Sequence, residues 1–323
     1  MALSDLAVFN EYAYSSMTEI LDQQIELFNA ASAGTVILAA AANQGDYNEI
    51  AFFKKLTGLV RRRNAYGSGA VSAIDLQQLI DTSVKVAAGT PPVNLPPSQF
   101  KWIQMNPEVA GAAMGQQMAV DMLADMVNTA VAALAAALSQ TSAIVNDISG
   151  GSGGAEYPSF ISMMETAQKF GDRSGDIRAW IMHSTPLTKL YANALTNAEQ
   201  LFTYGNVNVI ADPFGRRFVI SDIPGLIVSG SPNKYRTLGL VAGAVRVEQN
   251  NDFTDNTETS NGDENIQRTY QAEWSYNVGV KGYAWDKGNG GHSPTTAALL
   301  TATNWDKYAT SNKDAAGVLM LSK

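Results

Sequence analysis

The sequence predicts an α+β protein, and three observations support this fold class. Residues 106–145 contain no glycine or proline after Gly115, and their apolar residues follow helical spacing. Residues 157–230 mix short helical and strand-like runs. Residues 239–285 show the every-second-residue alternation of long antiparallel strands. At 1.5 Å per residue, the long helix would extend roughly 50 Å and would act as a spine for the other elements.

The helical segments carry recognisable end signals. Residues 16–19 fit a capping box that predicts the start of the first helix, and Gly34 predicts its end. A short apolar strand is expected at residues 36–39. Asn106 is expected to cap the spine helix, with Pro107 at its first position. Methionines that recur every four residues along the spine are interpreted as core: Met114, Met118, Met122 and Met126.

Residues 46–104 are predicted to form a long projecting loop or hairpin. Phe52 and Phe53 precede a glycine-containing tip, and residues 83–87 alternate as a returning strand would. The prolines within residues 91–97 should stop regular structure.

Charge is distributed unevenly along the chain. Residues 1–53 hold seven acids and no Lys or Arg, whereas residues 54–101 hold seven bases and two acids. This pattern would arise if the two segments were each simply exposed to solvent and differed in charge by chance. Alternatively, an acidic N-terminal arm and a basic loop meet within or between subunits. For Arg61, Arg62 and Arg63, a solvated patch, an interface patch and a contact to phosphate all stay open.

The second half of the chain contains shorter elements. Residues 149–154 (SGGSGG) are interpreted as a linker and a domain boundary. The acidic segment 248–264 is predicted to be an exposed connection. The other expected elements are, in order, helix 158–170, strand 177–182, a helix from Thr185 to about Leu195, strands 207–210 and 218–220 joined by a turn at 212–215, a short helix near Pro294, and strand 317–321.

The composition argues against several classes of site. The chain has no cysteine and only two histidines, His183 and His292, which excludes disulfides, thiol catalysis and a three-histidine metal site within one chain. Phosphate-binding and dinucleotide-binding glycine motifs are absent. We therefore expect no cofactor and no metal. The net charge of −8 also argues against broad electrostatic binding of nucleic acid.

The sequence also predicts how much of the surface contacts other subunits and in which compartment the protein is located. Charged residues make up 16% of the chain, against about 25% in an average soluble protein. We expect much of this weakly charged surface to lie against other subunits. The chain starts without a basic leader-like stretch, and no apolar run approaches the ~18 residues of a membrane helix. The prediction is a soluble protein in a cytoplasm-like compartment, with no membrane partner.

A catalytic interpretation is weakly supported. Residues 150–154 match Gly-x-Ser-x-Gly around Ser152, but the surrounding glycines are typical of a linker. His183 beside Ser184 could act as a base, although a hydrogen-bonded structural histidine is the favoured interpretation. The prediction is that the chain is not an enzyme, with a hydrolase that uses Ser184 or Ser152 and His183 kept as an alternative.

The order of these elements resembles that of the major capsid proteins of tailed bacteriophages. The resemblance covers nearly the whole chain. It is carried by the helix that ends at Gly34, the loop with Phe52 and Phe53, the alternating residues 83–87, the spine helix from Asn106, residues 181–184 and 209–212, the segment 274–286 (WSYNVGVKGYAWD), and then Ser293-Pro294 and Asn304-Trp305.

The resemblance implies the tailed-phage shell fold in five regions. These are an N-terminal arm and helix (1–45), an extended loop (46–104), the spine helix of a peripheral domain (105–150), an axial domain (151–238), and long strands that complete the peripheral domain (239–323). Contacts between subunits are suspected at Arg61, Arg62, Arg63, Phe52, Phe53, Glu19 and Glu11.

The same resemblance implies a function in assembly. Copies of the chain would form pentamers and hexamers of an icosahedral virion shell, assembled in the host cytoplasm around double-stranded DNA that is bound without sequence specificity. Scaffolding, portal and decoration proteins are further candidate partners. The alternative with the same fold is the shell of a cellular nanocompartment that encloses an enzyme.

Overall fold

The structure of the chain is a computed structural model, which describes residues 2–41, 43, 45–56, 58–190, 199–204, 207–211, 217–261, 264 and 266–323. Its α-helices are α1 (Ala2–Ala31), α2 (Pro97–Met105), α3 (Pro107–Ser139), α4 (Phe160–Gln168), α5 (Ser184–Leu190), α6 (Lys287–Gly290) and α7 (Thr296–Leu299). Short 3₁₀ helices cover Ser142–Ile144, Gly171–Asp176, Pro224–Leu226, Ala302–Asn304 and Asn312–Asp314.

The strands of the described chain form two sheets. The first nine of them are β1 (Val36–Ala40), β2 (Tyr47–Phe53), β3 (Gln78–Gly89), β4 (Val93–Asn94), β5 (Val145–Asp147), β6 (Ile177–Met182), β7 (Glu199–Tyr204), β8 (Val207–Ala211) and β9 (Arg217–Ile220). The others are β10 (Ile227–Val228), β11 (Lys234–Val241), β12 (Val245–Gln249), β13 (Thr254–Ser260), β14 (Gln267–Val280), β15 (Tyr283–Trp285), β16 (Trp305–Lys307) and β17 (Gly317–Ser322).

The first sheet is organised around β14. Its path runs β1-β12-β14-β15-β16, with β1 parallel to β12 and the other neighbours antiparallel. Strands β3, β4 and β13 also pair with β14, and β2 pairs with β3. Burial alternates in the first half of β14, where Tyr270 and Ala272 face the core, whereas residues 275–278 are buried on both faces.

The second sheet runs in the order β5-β17-β11-β6-β9-β8-β7, with β10 beside β11. Strand β6 lies at its centre, between antiparallel β11 and parallel β9. Gly239 of β11 lies against the Trp180 ring, where an added Cβ would approach the ring to 2.8 Å. A glycine at this position is therefore required by the close packing of the tryptophan.

The spine helix α3 packs against strands of both sheets. Residues 129–138 are all buried, so this half of the helix has no solvent face. Six alanines in this stretch keep the helix thin and let both sheets approach it closely. Among the described helices, α3 is long and apolar enough to cross a membrane, but 78% of the relevant stretch is buried inside the protein. The predicted spine is thus confirmed as a core helix.

Helix α1 lies along α3 and begins earlier than the sequence predicted. Phe9 faces Gly111 and Ala13 faces Gly115, so the two helices run in the same direction. The prediction of a start at residue 16 was wrong because Leu6, Phe9 and Ala13 extend the buried stripe of the helix towards the N-terminus. Ser16 is mid-helix, and its hydroxyl donates to the Ala112 carbonyl of α3 rather than capping its own helix.

Two expectations near the start of α3 were also wrong. The prolines at 96–97 do not stop regular structure: Pro97 opens α2, since the first helical position needs no N–H donor. Helix α2 then buries Phe100 and Ile103. Asn106 precedes α3, but its side chain makes no capping hydrogen bond.

Most later elements agree with the sequence predictions. Confirmed are the strands at 36–39, 83–87, 177–182, 207–210, 218–220 and 317–321, and the helices within 158–170 and after Pro294. The segment 248–264 was wrongly predicted to be only a connection, because residues 254–260 pair with β14 in continuous register. Strand β7 was not predicted. The end of the helix expected to reach Leu195 and the turn at 212–215 lie outside the described residues.

Candidate assembly surfaces

The hairpin of β2 and β3 leaves the body of the protein. The second half of β3, from Val84 to Gly89, pairs with β14, whereas its first half pairs only with β2. In this part the two strands pair only with each other, and side chains such as Phe52 and Asp81 contact the rest of the chain. Between them lies the tip, which we define as residues 58–77. Every residue of the tip is exposed. The hairpin itself is present as β2 and β3, and its role as an extended loop stays a prediction.

The tip presents apolar side chains to solvent. Val60 is 95% and Tyr66 is 99% exposed. The other large apolar residues of the tip are Leu59, Val71, Ile74 and Leu76. Burying such surface is favourable by about 25 cal/mol per Å². Several exposed apolar residues on one projecting segment are typical of a surface that becomes covered by a partner.

The arginine triplet Arg61, Arg62 and Arg63 belongs to the same tip. All three residues are exposed, and none of them forms an ion pair within the described chain. The triplet lies close to Val60 and Tyr66 in the chain, and all of these residues are exposed. The tip therefore combines positive charge with apolar surface. An interface role for the three arginines stays a prediction.

Phe52 and Phe53 occupy different environments at the end of β2. Phe52 is half-buried and packs edge-on against Tyr308 of its own chain, with ring centroids 5.1 Å apart. Phe53 is 69% exposed. Of the two, Phe53 is therefore the residue that is available to a neighbouring subunit.

Glu11 and Glu19 lie on the outer surface of α1. Together with Asp22 and Glu26 they form an acidic face, because these positions fall within an arc of about 80° on a helix of 3.6 residues per turn. None of the four forms an ion pair within the described residues. The opposite side of α1 is buried on α3, so the arm does have a support within its own chain.

Ion pairs that were not anticipated from the sequence hold the outer end of the hairpin, next to the tip, against the rest of the chain. Asp314 lies 3.2 Å from Lys55 of the hairpin and 2.8 Å from Arg173 of the second sheet region. Nearby, burial raises the pKa of Asp81, which lies 3.9 Å from Arg246. Because more than 100 residues separate these partners in sequence, no local pattern could have revealed them.

The surroundings of His183 do not have the geometry of a catalytic relay. Its Nδ1 atom accepts from the Thr185 backbone N–H at 3.1 Å and lies 3.3 Å from Asp222 and 3.5 Å from the Ser184 hydroxyl. A relay needs the carboxylate and the serine on opposite ring nitrogens, whereas here both share one. Burial alone would raise the pKa of Asp222, but hydrogen bonds from Ser184 lower it. Ser152 lies on the exposed loop between β5 and α4.

The sequence matches a protein family over nearly its whole length. Residues 5–319 match the family described as major capsid protein 13-like. The chain belongs to this family. It is a major capsid protein, which builds the shell of a virion, and the predicted fold class, family and capsid function are confirmed.

Solved capsids are similar to this capsid protein. The capsid of cyanophage Pam1 shares 12% identity at a TM-score of 0.48, covering 87% of this chain and 85% of the other. The capsid of Ralstonia phage GP4 shares 10% identity at a TM-score of 0.47, covering 89% and 87%. A virus-like particle from Pyrococcus furiosus shares 8% identity at a TM-score of 0.38, covering 96% of each chain. No curated protein matches the sequence.

Proposed function

We propose that copies of this capsid protein form pentamers and hexamers of an icosahedral shell that encloses double-stranded DNA, assembled in the host cytoplasm. The role is structural rather than catalytic. Scaffolding, portal and decoration proteins complete the particle, and the DNA is held without sequence specificity. The five regions predicted from the resemblance (1–45, 46–104, 105–150, 151–238 and 239–323) supply the parts of this assembly.

One observation supports the assembly most strongly: the tip is fully exposed and apolar yet carries the unpaired arginine triplet. A segment with this composition has little to stabilise it in an isolated subunit. A neighbouring subunit can cover its apolar residues and pair its charges. We propose that Arg61, Arg62, Arg63 and Phe53 lie at subunit contacts, that Phe52 supports them, and that the acidic face with Glu11 and Glu19 is a second contact surface.

The proposal is tested by expressing the full chain, alone and with its scaffolding protein, and examining it by sedimentation and electron microscopy. Shells, tubes or separate capsomers are expected, with five-fold and six-fold rings in the images. A chain that stays monomeric under both conditions would contradict the proposal.

Assembly should also change the sensitivity of the tip to trypsin. In unassembled subunits, cleavage is expected first after Arg61, Arg62 or Arg63, because trypsin requires an exposed and extended segment. In assembled shells the same bonds should be cut at least tenfold more slowly, since a neighbour covers them. The measurement is a time course by mass spectrometry. Cleavage at Lys169, which is exposed in the turn after α4 and lies outside the tip, provides the comparison. Equal rates at the triplet in subunits and shells would count against coverage of the tip.

A further inference from the structure

We propose that Asp81 makes the position of the β2–β3 hairpin sensitive to pH, so that the hairpin is held on its own chain in mild acid and released from it near neutral pH. We call these two states docked and released. The inference goes beyond the assembly proposed above, because it concerns a change within a single subunit. Asp81 lies in the first half of β3, in the part of the strand that pairs only with β2.

One face of this part of the hairpin is turned towards the rest of the chain. Phe52 of β2 is paired with Leu79 of β3, and paired residues of neighbouring strands share a face, as do residues two apart on one strand. Phe52, Leu79 and Asp81 therefore lie on the same face. Opposite this face, the Tyr308 ring packs edge-on against Phe52, and Arg246 of β12 lies 3.9 Å from the Asp81 carboxylate. These contacts hold the hairpin in the docked state.

The contact between the hairpin and the rest of the chain is incompletely packed. Two clefts, of about 570 Å³ and about 220 Å³, adjoin it, and both are lined by Asp81, Arg246, Lys281 and Tyr308. The larger cleft lies between the face that carries Phe52 and the loop after β16. Atoms that border such clefts lack close neighbours on one side and lose the dispersion attraction that those neighbours would provide. A change in a single contact can therefore shift the balance between the docked and released states.

The charge of Asp81 is incompletely compensated in this contact. One of its carboxylate oxygens, Oδ1, is buried and has no hydrogen-bond partner among the described residues. Burial raises the pKa of Asp81 and is the largest influence on it. Arg246 and the Tyr308 hydroxyl oppose this effect, and the negative charge of Glu248 adds to it. Lys281 lines the same clefts, but its ammonium group donates to a backbone carbonyl 3.3 Å away.

The direction of the response follows from the environment of Asp81. In the released state the carboxyl regains water, and its pKa returns towards the ordinary value of 3.8. The docked state therefore binds the proton more tightly than the released state, so lowering the pH favours docking and raising it favours release. The ion pair between Lys55 and Asp314 also links the hairpin to the body, but its lysine is 65% exposed, and exposed pairs contribute little. Because the hairpin carries the tip, release widens the range of positions that the tip can reach.

Single-molecule fluorescence energy transfer between the tip and the body measures the response in the unassembled subunit. The chain has no cysteine, so Ser68→Cys in the tip and Thr303→Cys, exposed on the short helix before β16, introduce the only two thiols for the dyes. The dyes are attached first, and the pH is then varied from about 4.5 to about 8, which covers the range above the ordinary pKa of a carboxyl. One narrow distribution of transfer efficiency is expected in acid, and the ratio of released to docked molecules should rise several-fold towards neutral pH. A distribution that does not change with pH would overturn the inference.

Three variants of the labelled chain assign the response to Asp81. Asp81→Asn has nearly the same shape and is uncharged at every pH, so the hairpin should stay docked up to neutral pH. Arg246→Gln removes the cation that favours the charged carboxylate, so the released fraction should keep rising to a higher pH than in the wild type. The matched control is Asp255→Asn, because burial also raises the pKa of Asp255, which lies on β13 and pairs with Tyr270 rather than with the hairpin. This control should respond to pH as the wild type does. A response that persists in Asp81→Asn, or that is lost equally in Asp255→Asn, would refute the role of Asp81.

Discussion

Replacing Arg61, Arg62 and Arg63 together with glutamate should abolish shell assembly and leave the subunit folded. The change converts three positive charges into three negative ones on the most exposed segment of the described chain. Placing like charges against an acidic receiver costs several kcal/mol at each contact. Substitutions on an exposed segment without intramolecular partners change stability by no more than about 0.5 kcal/mol. Sedimentation and electron microscopy measure assembly, and thermal unfolding of the subunit measures stability.

The control for the arginine triplet is a variant with the same change in net charge at three basic residues outside the tip. Lys101, Lys169 and Arg178 are exposed and have no ion pair within the described chain. Replacing these three with glutamate should leave most of the assembly intact. If both triple variants lose assembly equally, net charge rather than the tip is responsible; if neither does, the triplet makes no essential contact.

The second large effect is expected at Gly115, where α1 and α3 are closest. A Cβ atom at this position would lie 2.3 Å from the Ala13 carbonyl oxygen and 3.0 Å from the Met17 nitrogen. Both atoms are backbone, so the neighbour cannot move aside by a change of rotamer. Alanine would gain about 1 kcal/mol of helix propensity over glycine, but overpacking that displaces a whole helix costs about 1–3 kcal/mol or more. We therefore expect Gly115→Ala to lower the melting temperature and to speed hydrogen exchange in α1.

Gly150→Ala is the comparison for Gly115→Ala. An added Cβ at Gly150 meets no atom within 4 Å, and its backbone is not in the left-handed region. This variant should have a melting temperature within a few degrees of wild type. A Gly115→Ala variant as stable as Gly150→Ala would show that α1 does not rest on α3 as described.

Sequence patterns predicted the elements whose burial is uniform or strictly periodic. The second half of α3 is apolar on nearly every side, and every second residue from Tyr276 to Val280 in β14 is apolar and buried, so both elements are visible without a structure. Strand β13 was missed because its residues are polar on both faces and its pairing with β14 is fixed by register rather than by hydrophobicity. Helix α2 was missed because Pro96 and Pro97 were interpreted as a stop when one of them begins a helix.

The surfaces that we propose for assembly were predictable only in part. The arginine triplet and the acids of α1 stand out in the sequence as runs of one charge, and the projecting hairpin follows from its glycines and prolines. By contrast, the burial of α1 on α3 depends on two glycines whose role is evident only when the helices are packed.

The central claim is that the tip is completed by a neighbouring copy of the chain. Electron cryomicroscopy of assembled particles, at a resolution that traces side chains, tests it most directly. The account predicts that residues 58–77 lie over the adjacent subunit, with the arginine triplet within hydrogen-bond distance of carboxylates on that subunit and Val60 and Tyr66 covered. A map in which the same residues fold back onto their own chain, or extend into solvent without contacting another copy, would contradict it.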